Sequence, residues 1–439
     1  MGVFFGTDGL RGKVNDDLSF DIVYKCGNAL GAESIGRKIL IGRDTRLSGE
    51  LLTLAFASGA MNAGASVVDV GVCPTAGISY LTKQLGFDYG VVISASHNPA
   101  EFNGIKIFNS EGTKLGDKKE EQLEKKFLKN IVVNYSKLGT FSYEPNLVNL
   151  YKRFLINSSN QCLKGLKIVL DCSNGASSQI APAVFKKLGA SIVAIGRKPN
   201  GLNINKDCGS LNIENLQRNV LRFNADIGFA FDGDSDRIIA VDENGKVIDG
   251  DMIIYLLAKE YKAEGKLNPS MVVGTRHTNM GVEKALLKNG ISLIRTDIGD
   301  KYVCAKLDEK DLLIGGEQSG HIVIKDRLQT GDGILNAIII SNICAKYNKK
   351  LSEFFDFEKY NQVNINVKVM DKMRVINSEE LSEVTEAEER KLGKDGRIMI
   401  RISGTEPYIR VMVESLDVSL SKSIAEKLSN VVSKIDRDY

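Results

Sequence analysis

The sequence carries almost no excess of charge: 58 Lys and Arg stand against 55 Asp and Glu, a net +3 over 439 residues. So balanced a chain gives no case for a nucleic-acid or membrane partner, which usually presents a concentrated basic face or tail. A basic, apolar leader is also missing. Met1 is followed almost at once by Gly6-Thr7-Asp8-Gly9, so no secretory signal is expected and the cytoplasm is the expected location. The most apolar late stretch, Ile334–Ala345, contains two Asn residues and is too short and too polar to span a bilayer. The seven cysteines include no CxxC pair. An odd, scattered set suits reduced thiols and argues against a disulfide framework or a structural zinc site.

What remains is the composition of an ordinary globular protein, 43% hydrophobic and 26% charged. The length allows roughly two to four domains. An internal repeat organises most of it. Strand Ile39–Gly42, helix Leu51–Ala63 and strand Gly64–Gly71 form the first copy. The second has strand Lys167–Leu170, helix Ile180–Leu188 and Gly189–Gly196. The third has strand Met271–Gly274, helix Met280–Lys288 and Gly290–Ile294. Strand, helix, glycine stop and strand make a βαβ unit, and its repetition predicts mixed, mainly parallel sheets.

Each copy then adds an apolar strand ending in an unusual loop. Tyr89–Ile93 leads to Ser94-Ala95-Ser96-His97-Asn98-Pro99. Asp226–Phe231 leads to Asp232-Gly233-Asp234-Ser235-Asp236-Arg237, and Leu312–Ile314 to Gly315-Gly316-Glu317-Gln318-Ser319-Gly320-His321. Open α/β sheets bind ligands beyond strand C-termini, so the three loops are expected to face one cleft. Polar connectors suggest domains at 1–146, 147–249, 250–357 and 358–439. The last of these has strands Gln362–Met370, Arg397–Ile402 and Ile409–Glu414 and a helix Ser419–Ile435, a small α+β domain.

Five constellations carry chemistry. Asp232, Asp234 and Asp236 alternate with small residues, so three hard oxygen donors can converge on one divalent cation. With no His or Cys among them, Mg²⁺ is favoured over zinc; the bland alternative is an acidic surface turn. Ser96 followed by His97 invites a serine-hydrolase reading, but the Gly-x-Ser-x-Gly elbow is absent. A serine holding a phosphate would explain the acidic triplet beside it, with the cation bridging the two.

Arg401, Ser403, Gly404, Thr405 and Arg410 make an anion cradle of guanidinium groups, hydroxyls and turn amides. Glu317 and Ser319 project from a glycine-bracketed loop and suit paired sugar hydroxyls. Arg11, Lys106 and Arg237 provide cations near the serine; a lysine there could also act as a proton acceptor.

Phe5–Gly12, Ser94–Pro99, Asp232–Arg237, Gly315–His321 and Arg401–Arg410 resemble, in order and over essentially the whole chain, the signature loops of the α-D-phosphohexomutase superfamily. The resemblance implies an α/β protein of three similar mixed-sheet α/β domains plus a smaller C-terminal α+β domain, heart-shaped around a central cleft. Ser96 would be the phosphoserine and, with Asp232, Asp234 and Asp236, would ligate one Mg²⁺ per chain. Arg11, His97, Lys106 and Arg237 would surround the transferring group, and Glu317, Ser319 and His321 would contact the sugar. Arg401, Ser403, Gly404, Thr405 and Arg410 would hold the phosphate that is not transferred.

Gly316–His321 and Pro199–Asn205 most resemble the branch that interconverts glucosamine 6-phosphate and glucosamine 1-phosphate through a bisphosphorylated sugar, feeding UDP-N-acetylglucosamine and cell-wall precursors. Such an enzyme takes a phosphosugar substrate, is activated by a sugar bisphosphate and acts as a monomer or homodimer. One departure stands out: Thr275-Arg276-His277-Thr278-Asn279 replaces an expected apolar pair before Ser-Asn. The alternatives are a phosphoglucomutase or phosphomannomutase, a phosphatase using Asp232 and Asp234, and an inactive sugar-phosphate binder. A phosphatase leaves Ser96 and the Arg401 cradle without a role.

Overall fold

Alternating strands and helices with glycine stops build three sheets of one design. A computed structural model describes residues 5–6, 9–34, 36–127, 132–133, 136–403 and 407–437. It divides into two units, 1–278 with 289–355, and 279–288 with 356–439.

The first unit holds three sheets. The first contains β1 (Phe5–Gly6), β2 (Gly9–Lys13), β3 (Lys38–Arg43), β4 (Ser66–Val72), β5 (Tyr89–Ile93), β6 (Phe102–Asn109) and β7 (Phe141–Tyr143), in the order β1-β2-β6-β5-β3-β4-β7. The second has β8 (Lys167–Asp171), β9 (Ser191–Ile195), β10 (Ile227–Phe231), β11 (Ile238–Asp242) and β12 (Val247–Ile248), in the order β12-β11-β10-β8-β9. The third has β13 (Met271–Thr275), β14 (Ser292–Thr296), β15 (Ile314–Gly316) and β16 (Ile322–Ile324), in the order β14-β13-β15-β16.

One four-strand motif recurs in all three. The first strand of each repeat is flanked in parallel by the second and the third, and a fourth runs back antiparallel beside the third. The third strand, which ends in the unusual loop, is therefore internal in every sheet. It is buried on both faces, as the unbroken burial of β10 shows. β15 starts two residues later than the sequence pattern suggests. Gly315 and Gly316 pair with Val323 and Ile322, and glycine carries no strand signal of its own.

Behind the first sheet, helices α1 (Phe20–Glu33) and α2 (Gly49–Asn62) approach to backbone contact. A Cβ on Gly27 would lie 2.1 Å from the carbonyl oxygen of Phe56, one on Gly31 2.5 Å from that of Ala60, and one on Gly59 2.0 Å from that of Tyr24. Glycine is the only residue these positions admit. Phe56, Leu30 and Val23 then fill the space toward the sheet.

In the second unit β17 (Asn361–Lys368), β18 (Gly396–Ile402) and β19 (Tyr408–Ser415) form an antiparallel sheet with β19 central. Ile424, Leu428 and Val432 of the helix Val418–Arg437 pack on Val411 and Val413. Two helices not anticipated from sequence, Lys372–Ile376 and Glu379–Leu392, complete it. Their charge density hides the few apolar anchors, among them Val375 and Leu381. The helix Met280–Lys288 belongs to this unit. Asn279 exchanges hydrogen bonds with the backbone of Tyr360 (2.9 and 3.0 Å), and the Met280 amide donates to Glu414 at 2.8 Å. Among the described residues no helix is long and apolar enough to cross a membrane.

The α1–α2 contact makes a direct prediction. Gly59→Ala removes a poor helix former but drives a methyl into a backbone carbonyl that cannot yield. Overpacking of this kind costs about 1–3 kcal/mol, so thermal melting should fall below the wild type. A variant that melts at or above the wild-type temperature would show that the helices can move apart freely.

Candidate active site

The serine loop, the acidic loop and the glycine-bracketed Glu317 loop each leave the end of the third strand of a repeat. Tertiary structure brings the first two into direct contact. Ser96 is fully buried and lies at φ +52°, a left-handed conformation uncommon outside glycine. Its Oγ donates to Asp232 Oδ2 at 2.5 Å.

That conformation is held by a buried network. Arg46 Nη2 donates to the carbonyls of Ser96 (3.0 Å) and Asn98 (2.8 Å), and its Nη1 to those of Phe102 (2.9 Å) and Pro99. Arg46 Nε pairs with Asp44 at 2.9 Å, Ser94 Oγ donates to the same carboxylate at 2.7 Å, and the Ser96 amide donates to Ser94 Oγ at 2.9 Å. From the second repeat, Asn205 Nδ2 reaches the carbonyls of Ser96 (2.9 Å) and Asn98 (3.1 Å).

Asp232, Asp234 and Asp236 are all buried, and each offers a carboxylate oxygen within 4.8 Å of the others'. Lys106 Nζ, itself buried, bonds Asp234 at 2.8 Å and Asp236 at 2.9 Å. Thr75 Oγ1 donates to Asp234 at 2.6 Å. Burial, then the charges of Asp236 and Asp234, push the Asp232 carboxyl well above the usual range. Burial also opposes ionisation of Asp236, yet Lys106, with His321, holds its carboxyl well below that range.

One ammonium group thus bonds two of the three carboxylates. Oδ1 of Asp234 and Oδ1 of Asp236 are buried with no hydrogen-bond partner among the described residues. Orphaned carboxylate oxygens around a shared point fit a hard divalent cation.

The other expected residues fall into three groups. His97 Nδ1 lies 3.4 Å from Ser96 Oγ; burial, then Arg237 and Arg11, lower its pKa to about 4, so the ring is neutral near pH 7. Arg11 Nη1 donates to Asn98 Oδ1 at 3.2 Å, and the Arg237 amide donates to Asp232 Oδ1 at 3.1 Å.

The third loop joins the acidic one. His321 Nδ1 lies 3.7 Å from Asp236 Oδ2, Arg237 forms a β-bridge with His321, and the Ile238 amide donates to the Gly320 carbonyl at 3.0 Å. Gly320 is at φ +93°, and a Cβ there would sit 2.0 Å from the Ile238 carbonyl. Glu317 is buried, accepts from the Gly299 amide at 3.0 Å, and has its carboxyl raised by burial. Ser319 is half-buried on the same loop. Arg276, in the loop that departs from expectation, pairs with Asp297 at 3.1 Å on the surface.

In the second unit Arg401 and Arg410 stand opposite each other on β18 and β19. Burial and Arg410 lower the Arg401 pKa. Arg410 Nη2 reaches Ser403 Oγ at 3.4 Å, and Lys372 Nζ donates to the Ser403 carbonyl at 3.0 Å. Like charges set opposite each other and partly desolvated make a receptor for an anion. Gly404 and Thr405 lie outside the described residues.

Sequence reasoning missed Asp44, Arg46, Thr75 and the contact made by Asn205. The available signal was position: Asp44-Thr45-Arg46 follows the C-terminal end of β3 and Thr75 follows that of β4, the same sheet edge as the other loops.

Four models of one family match in succession: phosphoglucomutase/phosphomannomutase alpha/beta/alpha domain I over 2–132, domain II over 147–245, domain III over 249–360 and the C-terminal domain over 365–431. The phosphoglucosamine mutase of Carboxydothermus hydrogenoformans is 43% identical over 99% of this chain and 100% of its own length. That of Clostridioides difficile is 42% identical over 99% of each. A phosphoglucomutase/phosphomannomutase family protein from Burkholderia thailandensis has the same fold, with a TM-score of 0.84 over 99% of this chain and 98% of its own at 23% identity. The N-acetylphosphoglucosamine mutase of Aspergillus fumigatus, solved with GlcNAc-6P and magnesium, shares the fold at a TM-score of 0.72 and 18% identity, over 99% of this chain and 96% of its own. With four domain models in order and relatives this similar from end to end, the chain belongs to the phosphoglucosamine mutase family of phosphohexomutases.

Proposed function

We propose that the enzyme interconverts glucosamine 6-phosphate and glucosamine 1-phosphate, carrying the phosphoryl group on Ser96 and passing through a bisphosphorylated sugar. The observation that supports this best is the buried Ser96 hydroxyl, 2.5 Å from Asp232 and beside two further buried carboxylates. A hydrolytic serine wants a base and an oxyanion site, whereas a serine that carries phosphate wants a countercharge for it.

In the forward half-reaction the bond between phosphorus and Ser96 Oγ breaks as one forms to a sugar hydroxyl oxygen; the hydroxyl proton passes to a base and the released serine oxygen is protonated. In the return half the serine hydroxyl gives up its proton as its oxygen bonds the phosphorus at the other position of the turned-over bisphosphate, and the sugar oxygen released there is protonated. Asp232, Asp234 and Asp236, with a phosphate oxygen on Ser96, would hold Mg²⁺, which when bound offsets the charge of the transferring group. Arg11 and Arg237 bring positive charge to the serine loop. Glu317 and His321, with Ser319, take the sugar hydroxyls, and Arg401, Arg410 and Ser403 take a phosphate. The same reading makes the enzyme cytoplasmic, a monomer or homodimer, activated by a sugar bisphosphate and acting ahead of UDP-N-acetylglucosamine. The alternative, a preference for glucose or mannose phosphates, keeps this chemistry and changes only the contacts to the sugar.

Three measurements bear on this. Intact mass of active enzyme should show a fraction heavier by one phosphoryl group, and Ser96→Ala should lose that fraction and all mutase turnover while melting as the wild type does. An active protein with no phosphorylated fraction would end the Ser96 assignment.

Asp234→Asn should lower kcat on the order of 100-fold, since several kcal/mol of charge stabilisation is removed. Excess chelator should silence the wild type and Mg²⁺ restore it; full activity in chelator refutes the cation.

In a coupled assay kcat/KM for glucosamine 1-phosphate should exceed that for glucose 1-phosphate by roughly 10- to 200-fold, the discrimination a single substituent commonly provides. A higher value for glucose or mannose 1-phosphate would overturn the amino-sugar preference and leave the mutase chemistry standing.

A further inference from the structure

The segment Pro199–Asn205 bears the resemblance to amino-sugar enzymes, which invites a role in reading the sugar. Its last residue does something else. Asn205 Nδ2 bonds the carbonyl oxygens of Ser96 (2.9 Å) and Asn98 (3.1 Å), the same two that Arg46 Nη2 bonds from the first repeat (3.0 and 2.8 Å). We propose that Asn205 is a positioning residue for the phosphoryl-carrying serine: it sets the direction of Ser96 Oγ from the second repeat while Arg46 sets it from the first. The inference rests on Ser96 being the phosphoryl carrier.

Four observations converge on it. A peptide carbonyl has two lone pairs, and at Ser96 and Asn98 both are taken up, one by a cation and one by a neutral amide. With its carbonyl bonded by two donors the peptide after Ser96 is restrained about Cα–C, and the Ser96 amide, bonded to Ser94 Oγ at 2.9 Å, restrains the peptide before it, so both flanks of this residue at φ +52° are held. Asn205 is itself fixed. Its amide donates to the Ser173 carbonyl at 2.8 Å, its own carbonyl accepts from Asn212 Nδ2 at 3.2 Å, and its backbone lies at φ +58°. Finally, the acidic loop closes on the same point. A Cβ on Gly233 would lie 2.5 Å from the Ser96 carbonyl oxygen and 3.1 Å from Asn205 Nδ2, so that residue must be glycine for the contact to exist.

The chemical reason for such a grip is distance. Ser96 Oγ has to face phosphorus in line at about 3–3.5 Å, and a misplacement of about 1 Å costs on the order of 100-fold in rate. Countercharges on the phosphoryl oxygens cannot provide this alone; the backbone of the serine loop has to be held as well, by Arg46 from the first repeat and Asn205 from the second. Asn205 donates no hydrogen bond toward a sugar; its amide nitrogen is committed to the loop. A defect there should therefore appear in the transfer step, not in substrate affinity.

Two variants separate this from a structural role. Asn205→Gly suits a backbone at φ +58° and removes the side-chain amide, so it preserves the fold if Asn205 serves only its own conformation. Asn205→Asp keeps the shape and turns the donor into an acceptor facing two carbonyls. Steady-state kinetics on glucosamine 1-phosphate would be paired with the rate at which glucose 1,6-bisphosphate phosphorylates Ser96, followed by intact mass. Melting temperature serves as the fold control.

Both variants should lose at least about tenfold in kcat and in the phosphorylation rate, approaching the 100-fold of a displaced nucleophile, with KM kept within about twofold. A raised KM at unchanged kcat would overturn the inference and return the segment to sugar recognition. Wild-type kinetics in Asn205→Gly would also overturn it, leaving Asn205 a backbone residue. Should Asn205→Gly melt early, Asn205→Asp decides by the same two rates. A wild-type enzyme that never takes phosphate onto Ser96 would instead defeat the underlying reading, so the two failures are distinguishable.

Discussion

Three carboxylates and a serine hydroxyl share a volume from which water is excluded, and the surrounding structure answers to that constraint. Burying a carboxylate without a partner is strongly unfavourable, and Lys106 bonds two of the three, Asp234 and Asp236. Burial, with the charges of Asp236 and Asp234 adding to it, makes Asp232 resist ionisation, while Lys106 holds Asp236 ionised against the same burial. A divalent cation would favour ionisation of all three. Arginines sit around the serine loop; on the proposed reading they would meet the roughly two negative charges that a phosphoryl group brings.

Holding these groups together requires rigid loops, and the repeated sheet provides them. In each copy the loop leaves an internal strand with neighbours on both sides, so its first residues are as fixed as the core. Glycine at 233 and 320 then allows loop backbones to approach within hydrogen-bonding distance of a neighbouring chain segment, where any side chain would collide. Backbone-to-backbone contact is short and stiff, which long side chains alone cannot match. The β-bridge between Arg237 and His321 is the same device between the second and third copies.

The small second unit solves a different problem with different means. Arg401 and Arg410 stand opposite each other on antiparallel neighbours, a like-charge pairing that a shared anion would relieve. The acidic loop presents the complementary arrangement, buried carboxylates that a cation would relieve.

Much of this was legible in the amino-acid sequence. The βαβ pattern, recurring three times, determined three related α/β sheets followed by an α+β tail, because period and glycine stops are local properties of the chain. The acidic triplet, the serine loop and the arginine pair were visible because each is a short run whose chemistry is contained in neighbouring residues. What tertiary structure alone decided is which runs meet. Ser96 and Asp232 are 136 positions apart, Lys106 and Asp234 are 128 apart, and Asn205 and Ser96 are 109 apart. Asp44 and Arg46 carried a signal of position alone, since an Asp and an Arg after a strand read as an exposed turn until burial removes the water that would otherwise serve them. Residue types fix what a group can donate, accept or hold; only the packed sheets, by excluding water and setting distances, decide which partner it has.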